Sequence, residues 1–336
     1  MRIDTIMRAL ADPTRLRIMR LLGAMELAVG ELAQVLGQSQ PRVSRHVAIL
    51  CDAGLASRRR EGSWAFLRSG VGAGGTPIGD AVARLLATSE REDTEFAAAC
   101  EEDRRQLAAI RDARDSHAAV YFADHAEEWD ELRRLHSPDE AVEAKLLGAL
   151  SDTPLGALLD IGTGTGRMAE LFAPGTDHGA ERVVALDKSL DMLRMARAKL
   201  QHLPNDSVEL VQGDFAALPF AAHSFDTVML HQVLHFAQNP ASALVEAARV
   251  TRPGGRIAIV DFAAHNLEQL RDRHAHARLG FTDETMTGLL AASGFSAAAP
   301  IALADGELVV KIWLGVREGA PAAEPRKTES TQKVAR

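Results

Sequence analysis

Leu158-Leu159-Asp160-Ile161-Gly162-Thr163-Gly164-Thr165-Gly166 is a short apolar run that ends in a carboxylate and then in three glycines at alternate positions. Met168, Ala169, Glu170, Leu171 and Phe172 follow, a set that suits a helix. An apolar run of this length that passes through glycine into a helix reads as a buried parallel strand, its turn bare enough for a ligand to approach the backbone. These nine residues set an α/β fold for the rear of the chain. They also place a small-molecule site at the end of its first strand.

Strand ends of the same kind recur downstream. Val183-Val184-Ala185-Leu186-Asp187 brings a carboxylate 27 residues after Asp160, and Val208 to Gly213-Asp214 brings another after a further 27. Phe225 to Leu230 reads as a fourth strand and Arg256 to Asp261 as a fifth, entered through Pro253-Gly254-Gly255. Helical stretches, Leu190 to Leu200 and Pro240 to Thr251 among them, lie between. Alternation at this period predicts a doubly wound, mostly parallel sheet with an antiparallel final strand, and ligands at the carboxyl ends of the strands. Carboxylates at successive strand ends suit an ammonium (Asp160), the two hydroxyls of a ribose (Asp187) and an adenine amino group (Asp214). A nucleoside with an amino-acid tail meets all three, and S-adenosylmethionine is such a molecule. A nicotinamide dinucleotide fits less well, because its fingerprint needs a third glycine where this chain has Arg167.

The front of the chain has a different character. Residues 1–70 carry eleven arginines against six acidic residues, a net +5, in a chain of 336 residues whose total is −8. A basic module on an acidic body suggests that only the front meets a polyanion. Asp12-Pro13-Thr14 opens a helix whose Ile18, Leu21, Leu22 and Met25 share one face. Val29 to Leu36 is a second helix, Gly37 breaks it, and Ser39 and Pro41 begin a third. There Val43, Val47 and Leu50 point inward, while Arg42, Arg45 and His46 fall on the opposite face. That is a helix-turn-helix whose second helix can enter a major groove, with arginine forking onto guanine and Ser39 and Ser44 reaching phosphates. Leu55 to Leu67 reads as a hairpin tipped by Glu61-Gly62, with Arg58, Arg59 and Arg60 alongside. Between the modules, after a glycine-rich break at 70–79, residues 78–115 read as one long helix. Its Phe96, Cys100, Asp103, Leu107 and Ile110 follow coiled-coil-like spacing and predict a homodimer seam.

Composition narrows the class further. With 46% hydrophobic and 25% charged residues the chain reads as a globular protein. No apolar stretch is long enough to span a bilayer and the first residues lack a signal-peptide core, so no membrane role and a cytoplasmic location are expected. Two cysteines, Cys51 and Cys100, cannot build a disulfide framework or a thiolate metal site. Residues 319–336, polar and charged, read as a disordered tail.

Two resemblances rest on these motifs. The first 70 or so residues resemble the ArsR-type winged-helix repressors through Leu10 to Ile18, Gly30-Glu31-Leu32-Ala33, Ser39 to Val47, Ala53-Gly54-Leu55 and Arg59 to Gly62. That resemblance implies a winged helix-turn-helix over 1–75, a dimer on a palindromic double-stranded operator, and DNA contacts from Ser39, Gln40, Arg42, Ser44, Arg45, His46, Arg58, Arg59 and Arg60. Metal-sensing members carry paired cysteines where this chain has Ala33 and Val35, so no metal is expected.

The stretch from 118 to 318 resembles the class I S-adenosylmethionine-dependent methyltransferases, with 76–117 as connector. Leu158 to Gly166, Asp187, Gly213-Asp214, Leu218-Pro219-Phe220 and Pro253-Gly254-Gly255 carry that likeness. It implies that Asp160, Gly162, Thr163, Gly164 and Gly166 hold the methionine part of S-adenosylmethionine or S-adenosylhomocysteine, and that Asp187 with Lys188 takes the ribose. Gly213, Asp214 and Phe215 then take the adenine, with His231 nearby. Tyr121-Phe122 and Trp129-Asp130 read either as a lid over the ligand or as a linker helix packed on the core. His231 and His235 are the candidate bases, with His274 and His276 behind them, for a small-molecule methyl acceptor. A fusion of this layout implies a ligand-responsive regulator, of methionine-cycle genes by family likeness. The alternative is a working methyltransferase with an accessory DNA-binding domain.

Overall fold

The computed structural model describes residues 2–61, 64–70, 77–130, 139–204, 207–304 and 308–319. At the front, α1 (Ile3–Leu10) is followed by α2 (Pro13–Ala24), which starts where Asp12 accepts the Arg15 N–H at 3.1 Å. A two-residue strand that the sequence reading missed, β1 (Leu27–Ala28), leads into α3 (Val29–Val35). Gly37, at φ +61°, turns the chain into α4 (Gln40–Asp52). Ser39 stands at the cap position of α4, but its hydroxyl makes no capping bond. Val43, Val47 and Leu50 of α4 are buried against Ile18, Leu22 and Leu32, as the 4-3 spacing requires.

The hairpin forms from β2 (Ala56–Glu61) and β3 (Trp64–Ser69), and β1 adds to β3 to give the order β1-β3-β2. The tip at Gly62 and the side chains of Arg59 and Arg60 lie outside the described residues, as do 71–76 of the glycine-rich break and 320–336 of the tail.

The connector departs from expectation. The single helix over 78–115 is two, α5 (Pro77–Glu92) and α6 (Thr94–Asp124). Asp93 divides them because its carboxylate accepts the N–H groups of Glu95 and Phe96, both at 3.0 Å, and so starts a new helix. The seam is also spoken for within the chain. Phe96, Leu107 and Ile110 pack into the front module's core, and buried Asp103 accepts the Arg17 Nε of α2 at 2.7 Å. The polar residue in the seam is therefore half of an ion pair that pins α6 to α2. Cys100 sits beside it, its thiol pushed up to about 11 chiefly by burial and then by Glu90 and Asp103.

At the rear, α7 (Asp139–Leu150) precedes β4 (Ala157–Ile161), α8 (Arg167–Leu171), β5 (Arg182–Asp187), α9 (Leu190–Lys199) and β6 (Val208–Gln212). Next come β7 (Phe225–His231), α10 (Pro240–Val250), β8 (Thr251–Phe262), α11 (Gln269–His274) and α12 (Asp283–Ala292). Short strands β9 (Phe295–Ala297) and β10 (Ile301–Leu303) and the longer β11 (Val310–Arg317) complete it. The sheet order is β10-β11-β8-β7-β4-β5-β6, with β9 also on β11. β4 to β8 run parallel, β11 pairs antiparallel with β8, and β9 and β10 pair antiparallel with β11. The fifth predicted strand begins earlier than expected, at Thr251. Pro253-Gly254-Gly255 lies inside it, where pairing with β7 shifts register. Apolar clusters cover both faces, which is why the inner strands read as continuous apolar runs. The order turns back at β4, flanked by β5 on one side and β7 on the other, and that opens a crevice at the strands' carboxyl ends.

Candidate functional site

A cavity of about 710 Å³ fills that crevice. Its floor is the glycine turn after β4. Gly162 and Thr163 both donate N–H to the Leu186 carbonyl, at 2.7 and 2.9 Å, so the turn is tied to β5. Gly162 holds φ +71°, and a Cβ there would lie 2.5 Å from Val233 Cγ2. Glycine is thus demanded twice, by the backbone and by the wall opposite. Gly164 donates its N–H to Asp187 Oδ2 and Ser189 donates to Oδ1, both at 2.8 Å. Burial nevertheless pushes the Asp187 carboxyl above its ordinary range, opposed by N–H groups from Ser189, Gly164 and Lys188. A partly desolvated carboxylate with open lone pairs is a receptor for two hydroxyls.

Of the residues expected to hold the cofactor, Asp160, Gly162, Thr163, Gly164, Asp187 and Lys188 line this cavity. So do Gly213, Asp214, Phe215 and His231. Gly166 does not; it precedes α8 at φ +86°, and a Cβ there would press within 3.1 Å of Ala196 on α9. Lys188 pairs its Nζ with Asp214 Oδ2 at 3.0 Å, while Asp214 Oδ1 accepts the Ala216 N–H at 2.8 Å. Asp160 is buried in β4, and the Thr163 hydroxyl is buried with no hydrogen-bond partner among the described residues.

The candidate bases separate. His231 ends β7 and lines the cavity. His235 stands behind the wall, where its Nδ1–H donates to Asp261 Oδ1 at 2.8 Å and its ring lies 4.2 Å from that of His276. The two are therefore not a helical pair, since β7 ends at His231 and a 3₁₀ turn begins at Leu234. His274 accepts or donates at Nδ1 to the Tyr121 hydroxyl at 2.9 Å. No three His, Cys, Asp or Glu side chains gather as a metal site among the described residues.

Sequence reading left the roof undecided between a lid and a packed linker. Phe122, at the end of α6, and Trp129 both line the cavity, with ring centroids 5.3 Å apart. Trp129 Nε1 comes within 3.4 Å of where a Gly164 Cβ would stand. Asp130 fastens this segment by accepting the Thr165 hydroxyl at 2.7 Å and the Lys199 Nζ at 2.6 Å. Arg111, Gln232, Phe236, Gln238, Asn239 and Ser242 also line the cavity, and the sequence reading named none of them as site residues. For Gln232, Phe236, Gln238 and Asn239 the only signal was position, between β7 and α10.

A buried arginine joins the cavity wall to the front module. Arg278, 2% exposed, donates Nη2 to the Gln238 carbonyl and Nη1 to Glu26 Oε2, both at 3.0 Å. Its guanidinium also lies 4.4 Å over the Phe66 ring of β3. In the front module, Ser39 at the start of α4 and Gln40, Arg42 and Arg45 on it are exposed, as is Arg58 on β2. Ser44 and His46 are half-buried, the latter with Nδ1 3.7 Å from an Asp12 carboxylate oxygen, so the helix face presents arginines more than histidine.

Comparison with known proteins agrees with both halves. Residues 12–58 match the bacterial regulatory protein family model of the arsR type, and residues 159–259 match a methyltransferase domain. A demethylmenaquinone methyltransferase of Renibacterium salmoninarum is 34% identical over 154 residues, 45% of this chain and 61% of that protein. The chain thus spans about three fifths of that relative's length. A demethylmenaquinone methyltransferase of Clavibacter sepedonicus is 31% identical over 199 residues, 52% of this chain and 78% of that protein. A solved putative methyltransferase from Bacillus halodurans, 22% identical, covers 53% of this chain and 99% of its own at a TM-score of 0.46.

Proposed function

We propose that this chain, which belongs to the class I S-adenosylmethionine-dependent methyltransferases and carries an ArsR-family DNA-binding module at its front, regulates transcription in response to an adenosyl ligand. The residues fit S-adenosylmethionine or S-adenosylhomocysteine. Asp187 offers open lone pairs beside two backbone donors, the Thr163 hydroxyl is buried without a partner among the described residues, and the turn holds positive φ at both Gly162, which has no room for a Cβ, and Gly164. Asp187 would take the ribose hydroxyls, Asp214 the adenine amino group, and Asp160 the ammonium of the tail.

One side chain carries the coupling. Arg278 is held at once by the Gln238 carbonyl at the cavity wall and by Glu26 and Phe66 of the front module. A ligand that shifts the loop at Gln238 must move Arg278 or stretch its bonds. Helix α6 gives a second connection: its Leu107 packs into the front core while its Phe122 lines the cavity. A differential ligand affinity of about 1–3 kcal/mol between two arrangements is enough for useful regulation.

Arg42, Arg45 and Arg58 supply the DNA face. A two-fold operator calls for a dimer, and with the α6 seam filled internally the exposed apolar Ile3 and Met7 of α1 and Leu85 of α5 offer the surface for it. Gel-shift titration of operator DNA with S-adenosylhomocysteine, on wild type and Arg278→Met, tests the coupling. Wild-type affinity should change severalfold and the variant's should not. An operator affinity indifferent to the ligand in wild type refutes regulation by this route.

Turnover is the second reading, and the cavity favours it by extending past the strand ends to Phe122, Trp129 and Phe236. S-adenosylmethionine, when bound, supplies a methyl group already activated on a sulfonium. The protein's task is then alignment, exclusion of water by the Trp129 roof, and removal of a proton, for which His231 is the cavity-lining base. The named relatives and the three aromatic rings suit a planar acceptor of the demethylmenaquinone type. Labelled-methyl transfer to a naphthoquinol is the direct assay, and its absence under conditions of full cofactor binding rejects this acceptor.

A further inference from the structure

Gln232 follows β7 directly and lines the cavity. Its backbone sits at φ +55°, a left-handed conformation that costs a side chain of this kind energy and that Gly, Asn or Asp adopts more cheaply. The conformation is imposed from both sides. Its own N–H donates to the Val260 carbonyl of β8 at 2.7 Å, and the next residue, Val233, packs onto Gly162. The side chain is 8% exposed, and its amide Nε2 is buried with no hydrogen-bond partner among the described residues. A strained backbone and an unsatisfied buried amide in a residue of the cavity wall are a combination that packing alone does not reward.

Strand order says where this residue stands along the site. Across β6, β5 and β4 the strand ends carry Asp214, Asp187 and Asp160, the groups suited in turn to adenine, ribose and amino-acid tail. Neighbouring strands stand about 4.8 Å apart, so the end of β7 lies one step beyond the tail, on the side where a methyl acceptor must approach the sulfur. Phe236, four residues further on, and Phe122 stand with ring centroids 4.9 Å apart in an edge-on pair, a wall suited to a flat apolar ring.

We infer that Gln232 is a positioning residue for the methyl acceptor: its amide hydrogen-bonds an oxygen carried on a planar aromatic acceptor and sets the ring's orientation toward the methyl group. This rests on the reading of the rear domain as a working methyltransferase.

Three variants test it: Gln232→Gly, which removes the amide and relieves the backbone, Gln232→Leu, which removes only the amide, and Gln232→Asn, which tolerates the backbone and keeps a shorter amide. Thermal melting, S-adenosylhomocysteine calorimetry and quenching of tryptophan fluorescence by 1,4-naphthoquinone on the ligand-loaded full chain are measured together, with the KM and kcat of methyl transfer to a naphthoquinol. Gln232→Gly should melt higher than wild type and bind S-adenosylhomocysteine equally well. It should bind the quinone about tenfold more weakly, raise KM and lower kcat. Gln232→Leu should share the binding loss without the rise in melting temperature, and Gln232→Asn should recover part of the quinone affinity. Quinone binding unchanged in Gln232→Gly, or lost in step with a lower melting temperature, assigns the side chain to packing and overturns the proposal. A wild-type protein that binds S-adenosylhomocysteine but no quinone overturns the aromatic-acceptor reading itself, a different result from equal binding by wild type and variant.

Discussion

The front module sets the arginines of its α4 face outside, whereas the rear module draws Asp160 and Asp187 into its crevice. On α4 an apolar stripe of Val43, Val47 and Leu50 makes the core, and the arginines opposite it stand in water. At the ends of β4 and β5, Asp160 is buried and Asp187 half-buried in the crevice, and backbone N–H groups hold both oxygens of Asp187. An exposed guanidinium costs the fold little and acts only when a polyanion arrives. A desolvated carboxylate is expensive, and burial has already raised the Asp187 pKa. The two modules should therefore answer mutation very differently.

Asp187 should give the largest response. Asp187→Ala removes two charge-assisted hydrogen bonds to the ribose, worth roughly 1.5 kcal/mol each, and should weaken adenosyl-ligand binding ~100-fold in calorimetry while DNA affinity without ligand stays at the wild-type value. Acid gives the same comparison without mutation. Burial holds the Asp187 pKa above the ordinary carboxylate value of about 3.9, so the carboxylate form that receives the hydroxyls is lost as pH falls through that raised value. Ligand affinity should decline on acidification earlier than an ordinary aspartate would allow. Undiminished ligand binding in Asp187→Ala would end the assignment of the ribose contact.

An intermediate response is expected from Arg45. Arg45→Ala should weaken operator binding ~10-fold if the arginine forks onto a base, with ligand affinity untouched. If it touches only phosphate, the loss will be uniform across DNA sequences and the slope of log affinity against log salt will flatten by about one. A full titration in salt separates the two cases. No change in either affinity or slope would remove α4 from the DNA face.

The same contrast explains what was legible in the sequence. The front helices and parallel strands were readable because each writes its period into apolar positions close in sequence, and the glycine turn because Gly162 and Gly164 need positive φ. Partners far apart in the chain were not. The 4-3-4 seam of α6 was visible, but Arg17 as the mate of Asp103, 86 residues away, was not, so an intramolecular seam read as a dimer contact. The α5–α6 break was missed because Asp93 resembles any exposed acid until its carboxylate is seen capping a helix. His235 looked like a base because only the fold shows Asp261 beside it, behind the wall. Gln232 and Arg278 belong to no periodic pattern, and their roles come from where two distant segments meet.

The smallest effect comes from a carboxylate that serves the fold alone. Asp226 begins β7, accepts the Ala157 N–H at 2.9 Å at the base of β4 and pairs with Arg252 Nη1 at 2.5 Å. Burial works against its ionisation, but the Ala157 N–H and Arg252 prevail and hold its pKa below the usual value, opposite to Asp187. Both partners of the ion pair are substantially exposed, so screening by water leaves the pair worth ~0.5 kcal/mol and the backbone bond about as much again. A lowered folded-state pKa stabilises the protein above the unfolded value of about 3.9 and loses that contribution as pH falls through the folded value. Asp226→Asn should therefore lower stability at neutral pH by about 1 kcal/mol in urea unfolding, with the gap to wild type narrowing below about pH 4. Ligand affinity should not move, because Asp226 lies at the end of the sheet opposite the cavity. A variant that unfolds like wild type at neutral pH but loses ligand would reverse the contrast, making Asp226 the carboxylate that serves the site.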